Sequence, residues 1–139
     1  MKAVIDTNVV FAGLVNRKGA PFKIFRRFFH QEFVWINSQE TLEEYQGVLA
    51  LSQPIKPTSL HIFLYLLHKN STFVQISGSL QVCKDPDDDK FLETATVGKA
   101  DFLVTKNLKH FPRKSYEVVR IVNVATFLTE LEKNSLEKI

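Results

Sequence analysis

Residues 85–105 read DPDDDKFLETATVGKADFLVT. Phe91, Leu92 and Ala95 stand three, four and seven residues after Asp88. That is the spacing of one helix face, so the stretch predicts an amphipathic helix from about Asp87 to Gly98. Ala100 to Thr105 then forms an apolar run, with Phe102, Leu103 and Val104 as a buried strand that stops at Thr105-Lys106-Asn107. A helix feeding a fully apolar strand is half of a parallel α/β unit. The helix also opens with four carboxylates, Asp85, Asp87, Asp88 and Asp89, within five residues. One such residue suffices to cap a helix. Asp88 starts the core-facing stripe, where an acid is costly unless it is capped, paired or metal-bound. Asp87 and Asp89 read as cap and surface, with Asp89 projecting outward beside Glu93 and Thr96. Asp85, held extended by Pro86, reads as a loop residue near the site.

The same alternation recurs on either side. Lys2-Ala3-Val4-Ile5 is a buried strand that stops at Asp6-Thr7-Asn8, and an apolar helix follows to Val15. Gly19-Ala20-Pro21 opens a second helix, whose Phe22, Phe25, Phe28 and Phe29 face either the core or a partner. Phe33-Val34-Trp35-Ile36 is a second strand. Ser38 caps the next helix, with Leu42, Tyr45, Val48 and Leu49 as its stripe and Glu44 on the border of that stripe. Leu60, Phe63, Leu64 and Leu67 mark a further helix. Residues 72–76 suggest an edge strand, and residues 77–84 a loop. A short turn of helix from Leu108 is closed by Pro112. Val118 to Val122 is the last strand, and a closing helix packs through Phe127, Leu128 and Leu131 before a charged tail that frays from Glu132. The whole of 1–139 reads as a single α/β domain with helices on both faces of a mainly parallel sheet.

Composition narrows the function classes. With 139 residues the chain can bury a real core. No apolar run reaches the length of a membrane span, no secretory signal precedes the first strand, and Cys83 has no cysteine partner, which together predict a cytoplasmic protein with no membrane partner. The net charge of +3 conceals a contrast between the acidic cluster and basic groups at Lys23, Arg26, Arg27, Lys106, Lys109, Arg113 and Lys114. Basic flanks around an acidic pocket suit a polyanionic substrate.

Ligands of open α/β sheets bind beyond the carboxyl ends of the strands. Asp6 lies there, and the fold can bring Glu44 and Asp88 to the same crevice. Three oxygen donors without histidine or cysteine favour Mg²⁺ or Mn²⁺ over zinc.

In this order, three motifs resemble those of the PIN-domain ribonucleases, including the toxins of VapBC-like toxin–antitoxin pairs. They are Val4-Ile5-Asp6-Thr7-Asn8-Val9, the stretch SQETLEEYQGVL from Ser38 to Leu49, and residues 85–105. The resemblance implies a three-layer α/β/α sandwich with a sheet of four to five strands. It also implies a metal-dependent endoribonuclease that cleaves RNA, in which Asp6, Glu44 and Asp88 bind Mg²⁺ or Mn²⁺ and carry catalysis. Thr7 and Asn8 would orient Asp6, and Ser38 and Thr105 would bond ligand carboxylates or phosphate. Asp85 and Asn107 complete the expected surroundings. An antitoxin and a homodimer are the implied protein partners. The chain departs from the pattern after the strand at Phe102: Asn107 and His110 stand where family members carry a further acid, and Asp85, Asp87 or Asp89 could compensate.

The competing function is a non-catalytic PIN-like domain that binds RNA or protein. A haloacid-dehalogenase-type phosphotransferase wants an aspartate where Asn8 stands, and a receiver domain wants paired acids where Asp6 is alone. A dinucleotide-binding domain wants a glycine-rich loop after the first strand, and none is present.

Overall fold

The computed structural model describes residues 1–137. Six strands form one sheet in the order β3-β2-β1-β4-β6-β5. They are β1 (Lys2–Ile5), β2 (Val34–Asn37), β3 (Thr72–Phe73), β4 (Phe102–Val104), β5 (Ser115–Tyr116) and β6 (Val119–Val122). All neighbours pair parallel except β5 and β6, which form an antiparallel hairpin. The expected four to five strands become six because Ser115–Tyr116 adds a two-residue edge that apolar patterning does not mark. The expected edge strand over 72–76 shrinks to its first two residues, still at the sheet edge.

The helices are α1 (Thr7–Val15), α2 (Ala20–Phe29), α3 (Gln39–Leu49), α4 (Pro57–Asn70), α5 (Pro86–Val97) and α6 (Val124–Glu137). Parallel register puts Ala3 level with Trp35 and Phe102, so these three share one sheet face. On that face Trp35 packs against Phe25 and Phe28 of α2 and Phe63 of α4, while Phe102 meets Phe127 of α6. This cluster takes up six of the chain's sixteen Phe, Trp and Tyr side chains. Phe25 and Phe28 are core residues, Phe22 is half-buried, and Phe29 alone of the four is exposed. The opposite face is covered by α5, which packs on β1, β2 and β4. Gly98, at the carboxyl end of α5, lets the helix approach closely: a Cβ there would stand 2.7 Å from Ile36 Cγ2.

Two local expectations are corrected. Val48 is exposed, and the buried stripe of α3 is Thr41, Tyr45 and Leu49, one residue per turn. Helix α6 does not fray at Glu132 but continues to Glu137; residues 138–139 lie outside the described part.

Candidate metal centre

Asp6 follows β1 directly and caps α1, so its backbone is fixed by two elements at once. Its N–H donates to Val104 O of the neighbouring strand, and its carbonyl accepts the first bonds of the helix. Both carboxylate oxygens are held: Thr7 N–H donates to Oδ1 at 2.8 Å and Thr105 Oγ1 donates to Oδ2 at 2.7 Å. Thr105 itself accepts from Asn107 N–H at 3.0 Å, tying the loop after β4 to the same group. Burial pushes the Asp6 carboxyl above its ordinary value. The bonds from Thr105 and Thr7 act against this, and the charge of Glu44 adds to it.

Glu44 reaches the crevice because the next residue, Tyr45, is fully buried and donates its hydroxyl to Ile5 O, pinning α3 beside the end of β1. Glu44 Oε2 accepts from Thr7 Oγ1 at 3.2 Å, and Oε1 pairs with Lys90 Nζ at 3.1 Å. Lys90 carries no distinguishing signal in the sequence beyond its place one turn or less from the acids of α5.

Asp88 enters from α5, whose amino terminus points toward the carboxyl ends of the parallel strands. The residue is 8% exposed. Burial first, and the charge of Asp6 second, push its carboxyl up to about 6, while His110 acts in the opposite direction. His110 Nδ1 stands 3.3 Å from Asp88 Oδ2. The two are not aligned as a hydrogen bond, and Asp88 Oδ2 is buried without a hydrogen-bond partner among the described residues.

The other three acids of α5 have different tasks from those expected. Asp85, not Asp87, caps the helix by accepting from Asp87 N–H at 3.0 Å. Asp87 is exposed and 3.9 Å from Lys90. Asp89 is buried rather than outward-facing, and Glu93 is buried with it. Asp89 Oδ1 accepts from Val82 N–H and Cys83 N–H at 3.0 and 2.8 Å. Glu93 accepts from Ser77 N–H and Oγ, Gly78 N–H and Leu80 N–H. These two carboxylates strap residues 77–83 over α5. Helix periodicity identifies the side facing the sheet, but not a loop that returns to cover a second side; the serines and glycine of that loop were the only available signal.

Ser38 is fully buried in a capping box with Thr41 and lies 2.8 Å from Thr94 Oγ1, so it serves the α3–α5 contact and bonds none of the three acids. Asn8 is exposed and makes no side-chain hydrogen bond to Asp6. Asn107 acts through its backbone N–H. Arg27 pairs with Glu32 and Glu132, beside Lys23, Arg26 and His30, at the end of the sheet where β2 begins. That basic group therefore does not flank the acids. Of the second group, Lys109, Arg113 and Lys114 line, with Arg120, a groove of about 690 Å³ that takes in Leu108 and Phe111 on either side of His110 but none of the three acids.

The donor chemistry fits a divalent cation. Asp6 and Asp88 are both buried, the charge of Asp6 raises the Asp88 carboxyl, that of Glu44 raises Asp6, and one buried oxygen has no partner among the described residues. The ligand set is nonetheless not closed: among the described residues no three His, Cys, Asp or Glu side chains converge tightly enough to hold an ion. Glu44 is turned onto Thr7 and Lys90. Among the described residues no helix is long and apolar enough to cross a membrane.

Comparison with known proteins agrees with this architecture. The chain is 31% identical over 105 residues to the uncharacterized protein MJ1680 of Methanocaldococcus jannaschii, covering 72% of this chain and 67% of the relative. Its fold is similar to a chain of VapBC2 from Rickettsia felis, solved bound to a DNA fragment from its promoter, with a TM-score of 0.56 at 16% identity, over 88% of this chain and 98% of that one. A family model described as PIN domain matches residues 2–109. With that match over most of its length, the chain belongs to the PIN-domain family.

Proposed function

We propose that the protein is a metal-dependent endoribonuclease, with Asp6, Glu44 and Asp88 as its catalytic and metal-binding carboxylates and Mg²⁺ or Mn²⁺ as cofactor. The observation that carries this reading is the buried pair Asp6 and Asp88 at the carboxyl end of the sheet, the charge of the first acting on the second, with Asp88 Oδ2 lacking a hydrogen bond among the described residues. Family membership supports it, and so does the basic groove that includes Lys109, Arg113 and Lys114, on the chain just after β4, whose cationic side chains attract a phosphodiester backbone. A divalent ion supplies Lewis-acid chemistry, clamping phosphate oxygens and lowering the pKa of water.

The chain's own residues set the stage. Thr105 and the Thr7 amide fix the carboxylate plane of Asp6. Thr7 Oγ1 and Tyr45 fix Glu44 and its helix. Ser38 and Thr94 join α3 to α5 and so set the spacing of Glu44 from Asp88. Lys109, Arg113 and Lys114 lead single-stranded RNA toward the acids.

The same reading makes the protein the toxin of a toxin–antitoxin pair, acting as a homodimer in the cytoplasm. The VapBC2 neighbour supports an antitoxin partner. A second reading, a PIN domain that binds RNA without cutting it, is favoured by one observation: Lys90 already neutralises Glu44, and among the described residues no three ligands converge.

Incubation with single-stranded and structured RNAs in Mg²⁺, Mn²⁺ or chelator separates the two. The nuclease reading expects cleavage that chelator abolishes and that Asp6→Asn and Asp88→Asn each reduce at least 100-fold. Cleavage that persists in chelator or in both variants overturns it; RNA binding with no cleavage selects the second reading.

A further inference from the structure

We infer that the groove between the turn after β4, the β5–β6 hairpin and the start of α6 is a nucleotide subsite for single-stranded RNA, with a phosphate held by Lys109, Arg113 and Lys114 and a base laid on the apolar floor beside them. This deepens the reading above and rests on its RNA substrate, not on its metal.

The groove is built by a part of the chain that family membership leaves unassigned. The family match ends at residue 109, whereas the groove runs from Leu108 to Thr126. Its walls are fixed on three sides. Phe111 is 6% exposed and anchors the turn after β4. In the hairpin, Ser115 stands opposite Arg120, and Ile121 N–H donates to Lys114 O at 2.8 Å. Arg120 is itself held, 5.2 Å from the centroid of the Phe102 ring and 3.7 Å from Glu130. Asn123 caps the third wall by accepting from Thr126 N–H at 2.8 Å.

Charge decides the class of occupant. Four cations and no acid line the groove. Lys109, Arg113 and Lys114 are exposed and enter no ion pair among the described residues. The basic pocket on α2 differs, because Glu32 and Glu132 already answer Arg27 there. The first turn of α6 carries no acid either, so the amino end of that helix adds partial positive charge to the same groove. Unanswered cations on a fixed wall suit a polyanion.

The floor decides between single and double strands. Phe111, Ile121 and Val122 form it, and Leu108, 44% exposed, extends it outward. A duplex keeps its bases stacked inside and leaves such a floor unused, whereas a single strand can splay a base onto it. The volume of about 690 Å³ lies within the roughly 300–1,000 Å³ of small-molecule sites. The hydroxyls of Ser115 and Thr126 and the amide nitrogen of Asn123 border the groove and hydrogen-bond to no protein group among the described residues. They are available to a base edge or a ribose 2′-hydroxyl. His110, between Lys109 and Phe111 in the chain, stands 3.3 Å from Asp88, so a strand leaving the groove past His110 arrives at the acids.

The test uses the full chain in chelator, which reads binding apart from cleavage, with short fluorescein-labelled single-stranded RNA as the probe. Anisotropy titrations should show binding that Arg113→Gln with Lys114→Gln weakens about tenfold, the slope of log affinity against log salt falling by roughly 0.7 per charge removed. Lys23→Gln with Arg26→Gln, at the other end of the sheet, should change affinity by less than about twofold. Thr126→Val should shift the preference among oligouridine, oligocytidine and oligoadenosine by about threefold without changing the salt slope. Photocrosslinking of thiouridine-substituted RNA to the parent protein should label residues 108–126, a readout that depends on no variant. Crosslinks confined to other parts of the chain, or no RNA binding by the parent, overturn the subsite. So does duplex RNA or a polyglutamate peptide that binds as tightly, with the same dependence on Arg113 and Lys114. Groove-dependent binding by a protein that cleaves no RNA in Mg²⁺ or Mn²⁺ upholds the subsite and overturns the nuclease. Chelator-sensitive cleavage, with affinity and crosslinks indifferent to the groove, does the reverse.

Discussion

Asp88 shows what burying an acid costs. Its carboxyl titrates at about 6 in the folded chain, against an ordinary value of 3.8. A raised carboxyl means that the folded state binds the proton more tightly than the unfolded state. The folded chain is therefore most favoured, as far as this group is concerned, below about pH 4. That advantage is lost as pH rises to 6 and stays lost above it. Asp88→Asn removes the charge, so it should raise stability at pH 7 by roughly 1–3 kcal/mol. The gain should vanish at pH 4, as read by urea denaturation at the two values. Saturating Mn²⁺ should raise the melting temperature of the parent and leave Asp88→Asn nearly unchanged. Thr105→Val is the complementary test at Asp6. It deletes one hydroxyl that both donates to Oδ2 and accepts from Asn107, and should cost about 1–3 kcal/mol. The Asp6 carboxyl should rise further, visible in its carbon chemical shift as a function of pH. Asp6 and Asp88 were both legible in the sequence, one from its place after a strand and one from helical phase. The bond from Thr7 to Asp6 is local, whereas Thr105 beside Asp6, Lys90 beside Glu44 and the His110 ring beside Asp88 meet their acids from chain positions whose convergence no local spacing encodes.

At the scale of the element, α5 divides its acids by direction: Asp85 caps, Asp88 faces the crevice, and Asp89 and Glu93 hold residues 77–83. Burial raises the Glu93 carboxyl, but its hydrogen bonds from Leu80, Ser77 and Gly78 outweigh burial and hold it below the ordinary 4.5. Because this pKa is depressed, the stabilisation is complete above about pH 4.5 and is lost as pH falls through the lower folded value. Amide protection at Ser77, Gly78 and Leu80 should collapse in that acid range before the sheet unfolds. Glu93→Gln should lower the same protection factors at neutral pH while leaving those of β1 and β4 intact, a comparison that hydrogen exchange measures residue by residue. Cys83 sits in this strap, and burial together with Asp89 pushes its thiol up to about 12. It stays protonated and unreactive at neutral pH. The sequence located α5 within one residue of its start but assigned Asp89 to solvent, because amphipathic spacing describes a helix against one surface and α5 is covered on two.

For the whole molecule, alternation of apolar strands with amphipathic helices was enough to reach a parallel three-layer architecture. Short edges were the part it missed: β3 and β5 have two residues each, too few for a period to register. The basic residues of α2 had the right charge but the wrong end of the sheet, a distinction only the direction of β2 reveals. Packing density at the aromatic face gives a paired prediction. A Cβ on Gly13 would meet the Phe25 ring at 2.5 Å, whereas one on Gly47 would meet nothing within 4 Å. Gly13→Ala should therefore destabilise by about 1–3 kcal/mol through displacement of Phe25. Gly47→Ala, on the exposed face of the last turn of α3, should stabilise by up to about 1 kcal/mol. Thermal melts of the two variants should move in opposite directions.

The ion pair between Lys90 and Glu44 has one further consequence, which concerns the life history of the chain. An ammonium group from α5 already offsets a crevice carboxylate, so the fold does not depend on an added cation to balance Glu44. On the proposed metal-nuclease reading, folding would then be separate from metal loading, and a chelated sample should remain a cooperatively folded protein that melts as a single unit.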